Sequence, residues 1–200
     1  SLVKTLFGAN KIKGGQILIN GKRVNIKDPA SARDERIGLV PLDRKAEGLA
    51  LLMDVKENIT LANIKQLGQG FLINRKAEKL RAGKWVKEIG IRTPSVDQEV
   101  NSLSGGNQQK VVLAKWLESG SQIIILNEPT RGIDVGSKIE IYKLMEELCE
   151  RGSSIIMISS ELPEILSIAD RIITMNKGRF TGEYSREKAT EELLLQKACT

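Results

Sequence analysis

The sequence predicts an α/β fold built on a mostly parallel sheet, with a helical insert in its middle. Three observations carry that prediction. From residue 104 onward, short aliphatic runs alternate with amphipathic stretches long enough to be helices. The runs Ile123-Ile-Ile-Leu126 and Ile155-Ile-Met-Ile158 are continuously apolar, as strands covered on both faces are. The stretch between about residues 53 and 103 reads as helices rather than as part of a sheet.

Taken in order, Ser1-Leu-Val-Lys-Thr-Leu-Phe-Gly8 reads as the end of a helix stopped by glycine. It carries no start signal of its own, so the chain is expected to begin inside a domain. Gln16–Asn20 and Arg23–Ile26 flank Asn20-Gly21-Lys22 and read as a hairpin with a tight turn. Residues 37–41 read as a buried strand ended by Pro41, followed by a polar, flexible loop to about Leu52. Helices are expected over 55–65 and 75–90, with a loop over Gln66–Gly70 between them and Arg92-Thr-Pro94 as the stop. A helix over about 106–119 turns Val112, Leu113, Trp116 and Leu117 to one face. The strand Ile123–Leu126 follows, then a helix with Ile141, Leu144, Met145 and Leu148 at i, i+3, i+4, i+7. The strand Ile155–Ile158 comes next. Leu162, Ile165, Leu166 and Ala169 repeat the helical stripe, and strands at 171–175 and 179–183 precede a last helix over 186–197. Strand–helix alternation of this kind implies right-handed crossovers and a parallel sheet with both faces covered.

Composition narrows the class. At 200 residues the chain is long enough for one domain with a sizeable core, and 40% hydrophobic with 28% charged residues is ordinary for a globular protein. Aromatic residues are 4%, so the core rests on Ile, Leu and Val. The formal net charge is +6, but Lys and Arg are interleaved with Glu, which describes a solvated surface rather than a nucleic-acid groove. Cys149 and Cys199 have no CxxC spacing, which argues against a disulfide framework or a zinc site. No apolar run approaches the roughly 20 residues of a membrane span.

Two segments carry chemistry. In Leu103-Ser-Gly-Gly-Asn-Gln-Gln-Lys110, Ser104 can cap the following helix, while Gly105 and Gly106 let an outside group approach the backbone N–H groups. A helix start adds partial positive charge, so this is an anion-binding corner. In Ile123-Ile-Ile-Leu-Asn-Glu128, an apolar strand delivers Asn127 and Glu128 to the C-terminal edge of a parallel sheet, where ligands bind. A carboxylate there can orient water or help hold Mg²⁺ in phosphoryl transfer. Taken singly, the first also reads as a plain Ser-capped helix and the second as a capping or structural strand end.

Together and in this order, these motifs resemble the ATP-binding cassette (ABC) ATPase family over nearly the whole chain, from Ser1 to about Glu183. Leu103-Ser-Gly-Gly-Asn-Gln108 resembles the ABC signature, Ile123–Asn127 the Walker B strand with Glu128 at its catalytic glutamate, and Thr130–Asp134 the D-loop. Asn107-Gln-Gln-Lys110, Thr130-Arg-Gly-Ile-Asp-Val-Gly136, Asp43-Arg-Lys-Ala-Glu-Gly48 and Ser159-Ser-Glu-Leu-Pro-Glu164 resemble the second nucleotide-binding half of monosaccharide importers of the ribose, galactose and xylose type. The resemblance implies a P-loop NTPase-like fold for a partial nucleotide-binding domain over 1–200, with its N-terminal part missing and the helical insert at about 53–103. It implies ATP and Mg²⁺ as cofactors in the complete protein, with no metal site in this chain's own residues. Catalysis would fall to Glu128. ATP binding would fall to Ser104, Gly105, Gly106, Asn107, Asn127, Asp134 and Ser160. The implied partners are the other nucleotide-binding half, membrane permease subunits and, indirectly, a sugar-binding protein, with no nucleic acid, at the cytoplasmic face of the membrane.

The sequence also departs from a complete ATPase. No GxxxxGK[ST] loop is present, so the β- and γ-phosphates lose their main cradle, and the loop is expected just upstream of Ser1. Leu42 falls near the Q-loop position, Asn127 replaces the Walker B aspartate, and Ser160 stands at the switch-histidine position in a chain without histidine. Serine there is usual for this second half. The expectation is therefore asymmetric: this half lends Ser104 and its neighbouring amides to ATP held by the other half, and is inactive alone. A non-transport ABC protein, or a regulatory half without nucleotide turnover, are the alternative readings.

Overall fold

The computed structural model describes residues 2–69 and 72–199, so the expectations that touch Ser1 and Gly70 lie outside it. The described chain forms two compact units, Ser1–Ile158 and Ser159–Thr200.

In the first unit, α1 (Leu2–Leu6) ends at Gly8, whose φ of 76° places it in the left-handed region. A Cβ there would lie 2.5 Å from the carbonyl oxygen of Asp28, so glycine is required on steric grounds as well. β1 (Ile17–Ile19) and β2 (Lys22–Val24) pair antiparallel around Asn20 and Gly21, both at positive φ (51° and 76°). That is the two-residue turn the Asn-Gly pair predicts. A helix the sequence reading missed, α2 (Pro29–Asp34), follows. Asp28 caps it by accepting from Ser31 N at 2.7 Å, Ser31 Oγ accepts back from Asp28 N, and Pro29 opens the first turn.

β3 (Ile37–Val40) is buried along its whole length. The expected flexible loop after it is instead a single π-helical turn, Arg44–Gly48, capped by Asp43. Asp43 Oδ1 accepts from the amides of Lys45 and Ala46 at 3.0 Å each, which orders what composition suggested would be mobile. α3 (Val55–Thr60) is shorter than expected. It passes into a 3₁₀ stretch, Leu61–Leu67, kinked at Asn63. The expected loop beyond it contains β4 (Gly68–Gln69), which pairs antiparallel with β5 (Leu72–Ile73). α4 (Arg75–Glu88) ends before Pro94 can act, closing at Ile89 with Gly90 at φ 63°.

α5 (Gly105–Glu118) packs on α3, on α4 and on β3. β6 (Ile123–Asn127) is the central strand of a parallel sheet ordered β3–β6–β7, with β7 at Ser154–Ile158. α6 (Val135–Glu150) crosses between β6 and β7 and buries the predicted stripe Ile141, Leu144, Met145 and Leu148. On one side of the sheet Val3, Phe7, Ile26, Ala32, Ile37, Leu39 and Ile125 form a core cluster with Trp116 packed against it. The Phe7 and Trp116 rings meet edge to face, 5.2 Å apart. Gly38 makes room for this: a Cβ would lie 2.7 Å from Trp116 Cβ.

The second unit holds α7 (Leu162–Ile168), an antiparallel hairpin of β8 (Arg171–Asn176) and β9 (Arg179–Ser185), and α8 (Glu191–Cys199). The last helix starts later than expected, because Arg186–Lys188 is a separate 3₁₀ turn. On α7 the apolar stripe is only half-buried, and Glu164 is the buried side chain. Among the described residues no helix is long and apolar enough to cross a membrane.

Candidate functional site

The central strand places the first candidates. Asn127, half-buried, ends β6 and pairs with Ile158 of β7. Glu128 follows at φ 53°, a left-handed conformation that costs an ordinary L-residue about 1–2 kcal/mol. The surroundings hold it there: its N–H donates to Ile158 O at 2.8 Å, and its carbonyl accepts from Arg131 N at 3.2 Å. Backbone strain of this kind, held by its neighbours, gathers at functional positions. Pro129 and Thr130 are buried, and the loop surfaces at Arg131. Asp134 then caps α6, accepting from Ser137 N at 2.9 Å and from Ser137 Oγ at 2.7 Å. Those bonds, the backbone one first, hold its carboxyl below the usual carboxylate range.

The second group is the start of α5. Ser104 is exposed and caps the helix. Its Oγ accepts from Asn107 Nδ2 at 2.9 Å, which leaves the hydroxyl proton free to be donated outward. Asn107 is turned by a further bond: its Oδ1 accepts from Arg92 N at 2.8 Å. The first amides of α5 precede the first intrahelical hydrogen bond, so they carry the helix's partial positive charge.

The two glycines behave differently from the sequence expectation. Their missing Cβ atoms are accounted for within the chain. At Gly105 a Cβ would lie 2.7 Å from Arg44 Nη2 and 3.1 Å from Gly132 O. At Gly106 it would lie 2.5 Å from Ser137 Oγ and 2.6 Å from Ser137 Cβ. Gly105 and Gly106 thus seat α5 against the loop that leaves β6 and against the first turn of α6. Ser104, just before them, is exposed.

Four cations tie α5 and its neighbouring segments together. Arg44, from the π turn, donates from Nη1 to Arg131 O at 2.9 Å and from Nη2 to Gly132 O at 3.3 Å. Desolvation lowers its pKa. Lys110, only 7% exposed, donates to Gly90 O at 2.9 Å and to Glu140 Oε2 at 2.8 Å, and Arg92 pairs with the other Glu140 oxygen. Lys115, on the buried side of α5, donates to Gly48 O, and burial pushes its pKa down to about 8.

The structure therefore sets Gly105 against the loop after β6 and Gly106 against the start of α6, while Ser104 and Asn107 bond each other and Asn107 holds Arg92 N. Ser160 is exposed and belongs to the second unit. Leu42 is 44% exposed just past β3. Sequence reasoning passed over Arg44, Ser137 and Arg92. A signal existed for Ser137, three residues after the capping Asp134. Arg44 lies in the family-like segment Asp43–Gly48, but nothing local pointed to its bonds with the 131–132 carbonyls. Among the described residues no three His, Cys, Asp or Glu side chains gather to hold a metal ion.

Comparison with known proteins bears on this arrangement. A protein-family profile described as ABC transporter matches residues 1–131. The chain is 50% identical over 195 residues to the xylose import ATP-binding protein XylG of Thermoanaerobacter pseudethanolicus, covering 97% of this chain and 39% of that protein. It is 46% identical over 198 residues to the ribose import ATP-binding protein RbsA of Clostridium tetani, covering 98% and 39%. The chain thus spans about two fifths of the length of these relatives. Among solved structures, a nucleotide-free ATP-binding cassette from an ABC transporter superposes with a TM-score of 0.78 at 21% identity, covering all of this chain and 79% of that one. A dimeric post-hydrolysis cassette bound to ADP and Pi gives 0.74 at 22% identity, covering 92% and 79%. At these identities the likeness is one of fold.

Proposed function

This chain belongs to the ABC transporter family, and on that premise we propose that it is part of the ATP-binding subunit of a sugar importer. Its task in the complete protein is to present Ser104 and the first amides of α5 to the γ-phosphate of ATP held by the other nucleotide-binding half. The observation that carries this is the exposed Ser104 hydroxyl at the start of a 14-residue helix, braced from behind and free in front. A hydroxyl donor, unpaired amides and a helix dipole converge there on one anion.

The fit to each cofactor differs. The α5 corner suits a triphosphate oxygen. At the strand end Asn127 supplies no negative charge where the Walker B aspartate would. Mg²⁺ enters only as the counter-ion that accompanies ATP. On this reading Glu128 supplies the carboxylate that orients the attacking water, and, without a phosphate-binding loop in these 200 residues, the isolated chain is expected to hydrolyse no ATP. Permease subunits are the membrane partners, through the segment at about 43–95, and a separate binding protein selects the sugar. The working position is the cytoplasmic face of the membrane.

Ser104→Arg in the complete protein tests the assignment. It places a bulky cation where the phosphate would dock, and turnover at the partner's site is expected to fall by about 100-fold or more, the loss of an oxyanion-type donor plus steric exclusion. Unchanged turnover would overturn the reading. Mg²⁺-dependent hydrolysis by the isolated, folded chain would overturn the asymmetric part of it.

A further inference from the structure

The loop after β3 and the loop after β6 are joined by one side chain. Arg44 donates two hydrogen bonds to consecutive backbone carbonyls, Arg131 O and Gly132 O. The same guanidinium packs where a Gly105 side chain would be. Of the three N–H donors left, the one on Nε is buried without a partner. A buried, unused donor on a cation is costly, and a purely structural anchor would be expected to use it. The opposite end of the π turn is tied as well, because Gly48 O accepts from Lys115 of α5. The turn is therefore a strut, with one end on α5 and the other on the 131–132 carbonyls.

We propose that Arg44 is a positioning residue. It sets the 130–134 loop against the start of α5, so that the loop's geometry follows the position of the 44–48 turn. The proposal rests on the functional reading above, in which the α5 corner contacts ATP. Two carbonyls presented side by side suit the planar fork of guanidinium, and an ammonium would satisfy one of them at a time. Within the loop, Arg131 N bonds Glu128 O at 3.2 Å and Ile133 N bonds Thr130 O at 3.4 Å, while the Arg44 bonds are the ones that tie the 131 and 132 carbonyls to the 44–48 turn. Without Arg44 the loop keeps its Asp134–Ser137 cap and loses its register to Gly105.

The test uses the complete protein with Arg44→Gln and Arg44→Lys. Two readouts are taken, steady-state ATP hydrolysis and amide hydrogen exchange over residues 130–134. Arg44→Gln is expected to lower kcat by about tenfold while KM for ATP moves less than about threefold, because positioning acts after binding. Exchange over 130–134 should rise by about tenfold, the equivalent of the two lost hydrogen bonds, with protection in β6 unchanged. Arg44→Lys should recover part of both. Unchanged exchange in 130–134 would overturn the proposal whatever the kinetics. So would raised exchange with an unchanged kcat, or equal losses in kcat and in β6 protection, which mark a merely structural role. If the unmodified protein hydrolyses no ATP, the functional reading fails by itself, and the exchange arm alone decides whether Arg44 sets the loop.

Discussion

Gly106→Ala asks whether the second glycine of the corner serves the chain or its ligand. The added Cβ would meet Ser137 Oγ at 2.5 Å and Ser137 Cβ at 2.6 Å, with Ser137 Cα next at 3.9 Å. The first two distances are shorter than non-bonded heavy atoms allow, so α5 and α6 must separate. Overpacking of this kind costs about 1–3 kcal/mol, while exchanging Gly for Ala in a helix returns up to about 1. A net loss of about 1–2 kcal/mol is expected. Ser137→Gly removes both offending atoms and leaves only the Cα at contact distance. Alone it forfeits the bond from Ser137 Oγ to Asp134 Oδ2 and adds a helical glycine, costing about 1 kcal/mol together. In the double variant the overlap is gone and only the helix return of up to about 1 kcal/mol remains, so the coupling equals the overpacking cost, about 1–3 kcal/mol. Ser137→Ala keeps its Cβ and should not rescue. Urea unfolding followed by tryptophan fluorescence supplies the numbers. Additivity of the two substitutions within about 0.5 kcal/mol, or rescue by Ser137→Ala equal to that by Ser137→Gly, would refute the packing argument.

Glu128→Asn should separate stability from turnover. Asn tolerates the left-handed backbone, so unfolding free energy should rise by about 1 kcal/mol while any hydrolysis that depends on the carboxylate is lost; a chevron or melting curve and an ATPase assay check the two halves. Lys115→Met should flatten the alkaline limb of the stability curve. The ammonium titrates near 8 in the fold against 10.5 ordinarily. Below pH 8 both states are protonated, and the buried charge costs the fold its full penalty, on the order of 3 kcal/mol. Between 8 and 10.5 the folded form releases its proton first, the penalty fades and stability rises. That rise should be present in the parent and absent in Lys115→Met, measured by unfolding at pH 7, 9 and 10.

The elements that sequence reading located best were those whose burial follows a period. Ile141, Leu144, Met145 and Leu148 sit on one face of α6 and are all buried, and β3 and β6 are buried apolar runs, whereas β7, read as covered on both faces, has no buried residue because it is the edge strand of β3–β6–β7. α5 was located but misjudged in character. It buries Gln108, Gln109, Lys110 and Lys115 along with its aliphatic residues, so almost the whole circumference is covered, and a polar–apolar stripe understates that. α2 was missed despite an available signal, since Asp28-Pro29-Ala30-Ser31 spells a capping box with proline at the first position. The π turn was illegible because its order comes from Asp43 side-chain bonds and from Lys115, far along the chain. At the site, Ser104 announced its capping role, whereas the cap that Asp134 makes on α6 and the bonds of Asn107 to Arg92 and Ser104 were not read from sequence. Nor was the role of Arg44, because its partners are 87 and 88 positions away, and no local pattern encodes such a pairing.

The three-stranded sheet has a further bearing on how this polypeptide behaves by itself. β7 is bonded to β6 on one side, and among the described residues it has no neighbour on the other, while Ile156 is 43% exposed. A row of unsatisfied amides and carbonyls flanked by an aliphatic side chain is a template for any extended peptide that meets it. Produced alone at high concentration, such chains would join rim to rim into insoluble oligomers, and a lysine at Ile156 should keep them apart.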